Sequence, residues 1–568
     1  MNKMFRNNTK IIITNTHLVY VILFLVAFTI RFFASQELPI NSYEASILLR
    51  ITDEISIYPE GLSIIEFILI KTSFFFFGDT DLAARIWPVL AGSILSLLPL
   101  YLRDQLENKI GVMLSLFIVV DPFMIVNSIQ IGSNIFTFLS FVFLLAAIWK
   151  KDVFTRIVFL VLLFISGRGT MLAMILSIAF LVYQKTHLTL FVKNLIEETR
   201  EWGKKNNAFQ YKKIFIIGLF LALMIAIYKI DISLILSDAI SNLENLSSYY
   251  SIGESPLAFL VVLFSYLPFY VFIFIYELIS TFNKRRRQKY LLIIWIAITL
   301  LYVLFNPYHK FYDLIWVSGL LLIYTSLNTP VVFKGNNDNN IGDLIKTIYF
   351  LILLIALIMN FARYIYQGYS GLSQFQTSIS IITILIVVTA SVIILAYQLS
   401  LQKTLPCLTN AALILLFVVQ TGFSYRASGL SNPRYSEVFW SGFVFDKQII
   451  KDQIKNTKIT KEFANDSIKI CLLDVQEPSI LWELRSYEVS LFNNNLKPYE
   501  KFDILISKTE AVGEAAGKYF GQEFIVGSFP GWYVEPVKSI FSYDYWSWLI
   551  FGKSKMHKSL NYIWGNGE

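Results

Sequence analysis

Gly61-Leu-Ser-Ile-Ile-Glu-Phe-Ile-Leu-Ile-Lys-Thr-Ser-Phe-Phe-Phe-Phe77 is apolar enough to be taken for a membrane span, and the topology of the whole chain depends on whether it is one. As a span it would bury Glu66 and Lys71 in hydrocarbon, at several kcal/mol. It would also carry Asp79, Asp81 and Arg85 to the other side and invert the charge bias of every later connection. The segment is therefore expected to lie in the membrane interface. A second interfacial helix is expected at 43–54. The stretch from Glu37 to Arg85 holds eight of the 23 acidic residues in the first 424 positions, which makes it the most chemically loaded loop of the apolar part.

Around this loop the composition is that of a membrane protein. Of 568 residues, 55% are hydrophobic and 15% charged, with 49 Phe, 31 Tyr and a mean hydropathy of +0.58. A soluble domain averages about one quarter charged residues. Disordered chains, secreted disulfide scaffolds and ordinary cytosolic enzymes are excluded. The last 144 residues differ: they carry 17 basic and 17 acidic side chains, so the net charge of +8 lies entirely in the first 424. That excess is a topology signal and not a nucleic-acid footprint, and no nucleic-acid partner is expected. Cys407 and Cys471 form neither a disulfide framework nor a metal-ligand spacing.

Apolar runs long enough to span occur at about 18–34, 86–102, 110–128, 133–149, 157–165, 171–184, 213–230, 257–282, 290–306, 313–328, 346–362, 377–400 and 408–424. With a cytoplasmic N-terminus, the connections on the cytoplasmic side hold 23 Lys and Arg and those on the opposite side eight. This is the asymmetry that the positive-inside rule requires, and an odd number of spans then places the tail outside the cytoplasm. The first helix is expected to be retained as an anchor. The expected fold is a polytopic α-helical membrane protein of about 13 transmembrane helices, spanning 1–424. Two interfacial helices lie in its first outer loop, 35–85, and a small extracytoplasmic α/β domain follows at 425–568. In that tail 467–473, 502–506 and 524–526 read as strands, and 445–463 and 479–489 as helices. Its end, Tyr543-Asp-Tyr-Trp-Ser-Trp-Leu-Ile-Phe551 followed by Lys553, Lys555 and Lys558, suits a headgroup layer.

The order of features carries a resemblance. The acidic loop is followed by Phe77-Gly-Asp-Thr-Asp-Leu-Ala-Ala-Arg-Ile-Trp-Pro88, a span ending in Leu97-Leu-Pro-Leu-Tyr-Leu-Arg-Asp104, then Asp121-Pro122 and Ser128, and in the tail Asn432-Pro433-Arg434 and Trp482-Glu-Leu-Arg485. Over most of its length the chain resembles the GT-C glycosyltransferases, in particular a prokaryotic branch of flippase-activity-associated or mannosyltransferase-like proteins. The resemblance implies transfer of a sugar from a polyprenyl-phosphate donor to an extracytoplasmic glycan, lipid or protein acceptor. It implies a carboxylate that binds a divalent cation (Mg or Mn) or deprotonates the acceptor, and cations that hold the leaving phosphate.

By position, Glu44 matches the second acid of the family's acidic pair and Tyr43 stands where the first would be. A further family acid is replaced by Asn134, which offers a carbonyl oxygen to a cation but no base. Arg168, between Gly167 and Gly169, and His309-Lys310 are the candidate phosphate or sugar contacts. The plainer alternatives are a solvated Glu44 on an interfacial helix and a snorkelling Arg168. Arg85 is expected to pair with Asp79 or Asp81, Asp121 to cap the backbone freed by Pro122, and Glu277 to pair with Arg285–Arg287. The losses at Tyr43 and Asn134 motivate a second reading, a degenerate scaffold subunit whose tail recruits a protein partner. A third, a lipid flippase or transporter, finds no paired halves in the sequence.

Overall fold

The computed structural model describes residues 15–52, 63–167, 169–183, 256–281, 287–305, 310–333, 341–366, 371–399, 401–431, 438–440, 446–462, 468–492, 502–508, 519–530, 532, 542–553 and 555–566. The chain is a multi-pass helical membrane protein carrying a small sheet at its C-terminal end. Helix α1 (Asn15–Glu37) has 23 residues, about 34 Å at 1.5 Å per residue, enough for a hydrocarbon core of about 30 Å. Helices α2 (Ser42–Ile51) and α3 (Ile64–Phe77) have 10 and 14 residues, too short to cross it. The apolar run 61–77 therefore yields a helix too short for a span. Its end projects Phe75, Phe76 and Phe77, each more than two-thirds exposed, while Glu66 is fully buried.

Helix α4 (Asp81–Ile94) continues through a 3-10 turn into α5 (Leu98–Tyr101) as one span. Helices α6 (Asn108–Val120) and α7 (Pro122–Ser128) meet at a 59° bend. Pro122 has no N–H to continue the helix, and Asp121 Oδ1 accepts from Met124 N at 2.8 Å, the capping role expected of it. Next come α8 (Ile135–Lys150), α9 (Val153–Ile165) and α10 (Thr170–Tyr183). They are followed by α11 (Pro256–Tyr266) and α12 (Pro268–Thr281), bent by 95°, and α13 (Arg287–Phe305). A 3-10 turn, Phe311–Leu314, leads into α14 (Ile315–Phe333), and α15 (Ile341–Tyr366), α16 (Gly371–Leu399) and α17 (Leu401–Ala427) complete the apolar part.

Among the described residues, six helices are long and apolar enough to cross a membrane, or eight if each bent pair is one span. The expected run at 213–230 lies outside the described residues, as do Arg285 and Arg286, the awaited partners of Glu277. The expected runs at 133–149, 157–165, 171–184 and 290–306 fall on shorter apolar helices, and the remaining ones on the long helices and bent pairs. The core gathers α4, α6, α7, α8, α11, α12 and α14 around buried Phe123, Phe138, Tyr266 and Trp316. In contrast, the apolar windows of α15 and α16 are almost wholly uncovered.

In the tail, α18 (Lys447–Glu462) precedes β1 (Lys469–Leu473), then α19 (Pro478–Glu483), β2 (Glu488–Phe492), β3 (Ile504–Ser507) and β4 (Tyr519–Pro530). Helix α20 (Tyr543–Phe551) and β5 (Met556–Asn566) close it. The sheet order is β2-β1-β3-β5-β4, with β1 parallel to β2 and β3, and β5 antiparallel to β3 and β4. Ile450 and Ile454 of α18 pack on Ile470, Leu472, Ile504 and Ile506 of the parallel strands.

One expectation is corrected here. The helix expected at 479–489 stops after six residues, because Glu488–Phe492 pairs in parallel with β1, and sheet pairing overrides local propensity. The aromatic end packs on the helices of the apolar part. Trp548 is fully buried. Arg426 donates to the Leu549 carbonyl at 2.7 Å, the Ser265 and Tyr545 hydroxyls share a 2.9 Å hydrogen bond, and Phe361 meets Trp546 edge-on at 5.2 Å. Helix α20 is thereby docked on α11, α15 and α17.

Candidate active site

The loop Asn127-Ser-Ile-Gln-Ile-Gly-Ser-Asn134 between α7 and α8 is the hub on which the first loop's two short helices converge. Asn41 caps α2: its side chain accepts from Glu44 N at 2.7 Å, and Glu44 Oε2 accepts from Asn41 N at 3.1 Å, a reciprocal capping box. The rest of the Glu44 carboxylate is also engaged. Oε1 accepts from Arg85 Nε at 3.0 Å and from Ile131 N at 2.9 Å, and Oε2 from Arg85 Nη2 at 2.5 Å. Arg85 spends its remaining N–H groups on the carbonyls of Ser35 (3.0 Å), Leu38 (2.6 Å) and Pro39 (2.7 Å). Both side chains are fully buried. All five guanidinium donors and all four carboxylate acceptor positions are used, the condition under which a buried pair is tolerated.

This geometry corrects two sequence expectations. Arg85 pairs with Glu44 and not with Asp79 or Asp81, which are taken by Arg485, Trp482 and Lys447 of the tail. Glu44 itself is neither solvated nor free. With no lone pair left for a hydroxyl proton or a cation, it fastens residues 35–39, α2, α4 and the hub loop together. No group of three His, Cys, Asp or Glu side chains able to hold a metal occurs among the described residues. Glu44 and Asn134 thus do not fit a divalent-cation site.

Among the described residues of the first outer loop, the buried carboxylate with spare capacity is Glu66, which the sequence offered only as a reason against a span. Ser63 caps α3: its hydroxyl accepts from Glu66 N at 3.3 Å and donates to the Ile165 carbonyl at 3.1 Å. Glu66 Oε1 accepts from Gly132 N at 2.8 Å, and Oε2 has no partner although it is buried. Burial pushes this carboxyl up to about 8; the Gly132 N–H pulls it down and the charge of nearby Glu44 pushes it further up. A capped helix start holding one acid in an otherwise apolar run was the available signal.

Tyr43 lies against the same turn. Gly132 has φ +69°, and a Cβ there would stand 2.6 Å from the Tyr43 ring and 2.7 Å from Ile47. Lys310 Nζ sits 5.6 Å from the Tyr43 ring centroid, which brings together two of the sequence-predicted residues. Asn134 Nδ2 donates to Asp313 Oδ1 at 2.5 Å, and Asp313 Oδ2 accepts from Lys310 N at 2.8 Å. Asn134 Oδ1 is buried without a partner, 3.2 Å from where a Cβ on Gly169 would stand. Gly167 approaches Ser63 at the start of α3. Arg168 and His309 lie outside the described residues, as does Asn432-Pro433-Arg434; the glycines flanking Arg168 border Ser63 on one side and Asn134 on the other. The cluster thus combines a near-neutral buried carboxylate, a phenol, an ammonium group and an unpaired amide oxygen. Such a set is suited to moving a proton beside a bound anion.

No protein-family model and no curated protein matches the chain. Among solved structures it is similar to ArnT from Cupriavidus metallidurans in the apo state, with a TM-score of 0.47 and 13% identity over 89% of this chain and 96% of that one. It is also similar to ArnT from the same organism bound to undecaprenyl phosphate, with a TM-score of 0.46 and 11% identity over 90% and 97% of the two chains.

Proposed function

We propose that the chain is an integral membrane glycosyltransferase that moves a sugar from a polyprenyl-phosphate donor to an acceptor hydroxyl on the extracytoplasmic side, with Glu66 as general base. The observation that carries this reading is the unpaired oxygen of Glu66, buried where α3 meets Gly132 of the hub loop, the turn against which Tyr43 also packs. The ordered sequence resemblance supports the substrate class. In the reaction the acceptor hydroxyl gives its proton to Glu66 Oε2 as its oxygen bonds to the anomeric carbon. The bond from that carbon to the phosphate oxygen breaks, and polyprenyl phosphate leaves. Lys310 and Arg168 hold the leaving phosphate, Arg168 through paired donors. Tyr43 and His309 are assigned to the sugar.

Purified protein in liposomes containing a labelled polyprenyl-phosphate hexose tests this. Glu66→Gln lowers turnover by about 10²–10⁴-fold, the usual contribution of a positioned base, while Lys310→Ala raises the KM for the lipid donor. Undiminished turnover in Glu66→Gln overturns the assignment. The scaffold reading draws on one observation: Glu44, the positional match to a family acid, is consumed by Arg85. A parent protein without turnover that co-purifies with an active transferase decides for it.

A further inference from the structure

The two sequence motifs most distant from each other in the resemblance touch in three dimensions. Asp79, just before α4, receives Arg485 Nε at 2.9 Å, and its carbonyl receives Arg485 Nη2 at 2.7 Å. Asp81, the first residue of α4, accepts from Trp482 Nε1 at 3.0 Å and lies 3.4 Å from Lys447 Nζ, which also reaches Glu483 at 3.1 Å. The Arg485 guanidinium lies over the Trp482 ring at 3.9 Å. Trp482 is fully buried, shares a small core with Ala45, Ile47 and Ile70, and stacks on Phe74 of α3 at 6.3 Å. Ser42, the first residue of α2, donates to Glu477 and has its Oγ 3.3 Å from that of Ser479.

One segment of the tail, Glu477–Arg485, therefore grips all three elements that build the site: α2 with Tyr43 and Glu44, α3 with Glu66, and α4 with Arg85. Interfacial helices of 10 and 14 residues have little independent stability. Their mutual spacing must come from what they pack against. The contact is rich in the features that concentrate binding energy: a buried Trp, a stacked Arg and paired charges at the rim.

We infer that Glu477–Arg485 is a clamp and that Trp482 and Arg485 are positioning residues for the Glu66 site, so that the tail acts on its own membrane part. The inference deepens the transferase reading and rests on it for its kinetic arm only. Arg485→Ala lowers kcat with the donor KM little changed, by up to about 10²-fold if the site shifts by an ångström. Exchanging the charges in Asp79→Arg/Arg485→Asp restores it, as does oxidising a Ser42→Cys/Ser479→Cys pair in the Arg485→Ala background. A merely structural loss is rescued by neither.

The structural arm needs no turnover. Ala45→Cys is shielded from a membrane-impermeant maleimide in the otherwise unchanged chain and becomes reactive when Trp482→Ala is added. Continued shielding in Trp482→Ala, or full turnover in Arg485→Ala, overturns the clamp. A parent without turnover whose Ala45→Cys still opens on loss of Trp482 upholds the clamp and overturns the transferase reading.

Discussion

At the scale of single residues, the two buried acids of the first loop do opposite work, and their substitutions separate. Glu44 faces Arg85 with every acceptor position filled. Glu44→Gln leaves the guanidinium buried without its counter-charge, a change that costs about 3–5 kcal/mol. Glu66 has the reverse balance. Its carboxyl is raised from 4.5 to about 8, so between these values the folded chain holds a proton that the unfolded chain has lost. Its contribution to stability is complete below about 4.5 and disappears as the pH rises through about 8. Thermal unfolding in detergent therefore shows Glu44→Gln well below the parent at every pH from 6 to 9. Glu66→Gln equals or exceeds the parent, with a flatter decline toward pH 9. A Glu66→Gln curve parallel to the parent's refutes the raised carboxyl. Turnover by the parent climbs over the same interval, because the base must be ionised to take a proton.

At the scale of elements, the hub loop decides the site, and it was the least legible part of the sequence. Hydropathy located the apolar helices because a bilayer imposes a length on them, and α3, with 14 residues, is as short as the charge count required. Position along the chain singled out Glu44, and with it Tyr43, Lys310 and Asn134. What each group does depends on partners far away in sequence. Arg85 chooses Glu44 over the nearer Asp79 and Asp81, and those acids are satisfied by residues 400 positions on. Glu66 was hidden because a lone acid in an apolar run reads as a flaw in a span, and only the fold brings Gly132 N to it. The short tail strand β2 was equally unreadable, since its pairing with β1 overrides a helical pattern. Gly132 concentrates these dependencies. Its φ of +69° and the closeness of the Tyr43 and Ile47 side chains make Gly132→Ala strained and overpacked, a loss of about 1–3 kcal/mol. Turnover falls with it, since the Glu66 anchor moves. Gly342→Ala, with nothing within 4 Å of the added methyl, is the matched control and leaves both unchanged. Equal effects of the two substitutions count against the hub.

At the scale of the whole molecule, the site, the clamp and the sheet share one face of the bundle, so the sidedness of any one fixes the others. Helix α20 docks on α11, α15 and α17, and Glu477–Arg485 docks on α2–α4, which ties the tail to the end of the bundle where the interfacial helices lie. The charge asymmetry of 23 basic residues against eight predicts the extracytoplasmic side for that end. The uncovered apolar windows of α15 and α16 have lipid as their natural solvent. Fusing alkaline phosphatase after Glu568 in a bacterial host tests the sidedness. The enzyme matures only outside the cytoplasm, so the expected result is an active phosphatase, with a fluorescent protein fused at the same position remaining dark. Fusions after Lys289 give the opposite pair of signals, because the charge count predicts the cytoplasmic side for the basic run Lys284–Lys289. A dark phosphatase at Glu568 with an active one at Lys289 inverts the assignment. It would leave Glu66 facing the compartment where soluble nucleotide-activated sugars occur, and remove the reason for a lipid-linked donor.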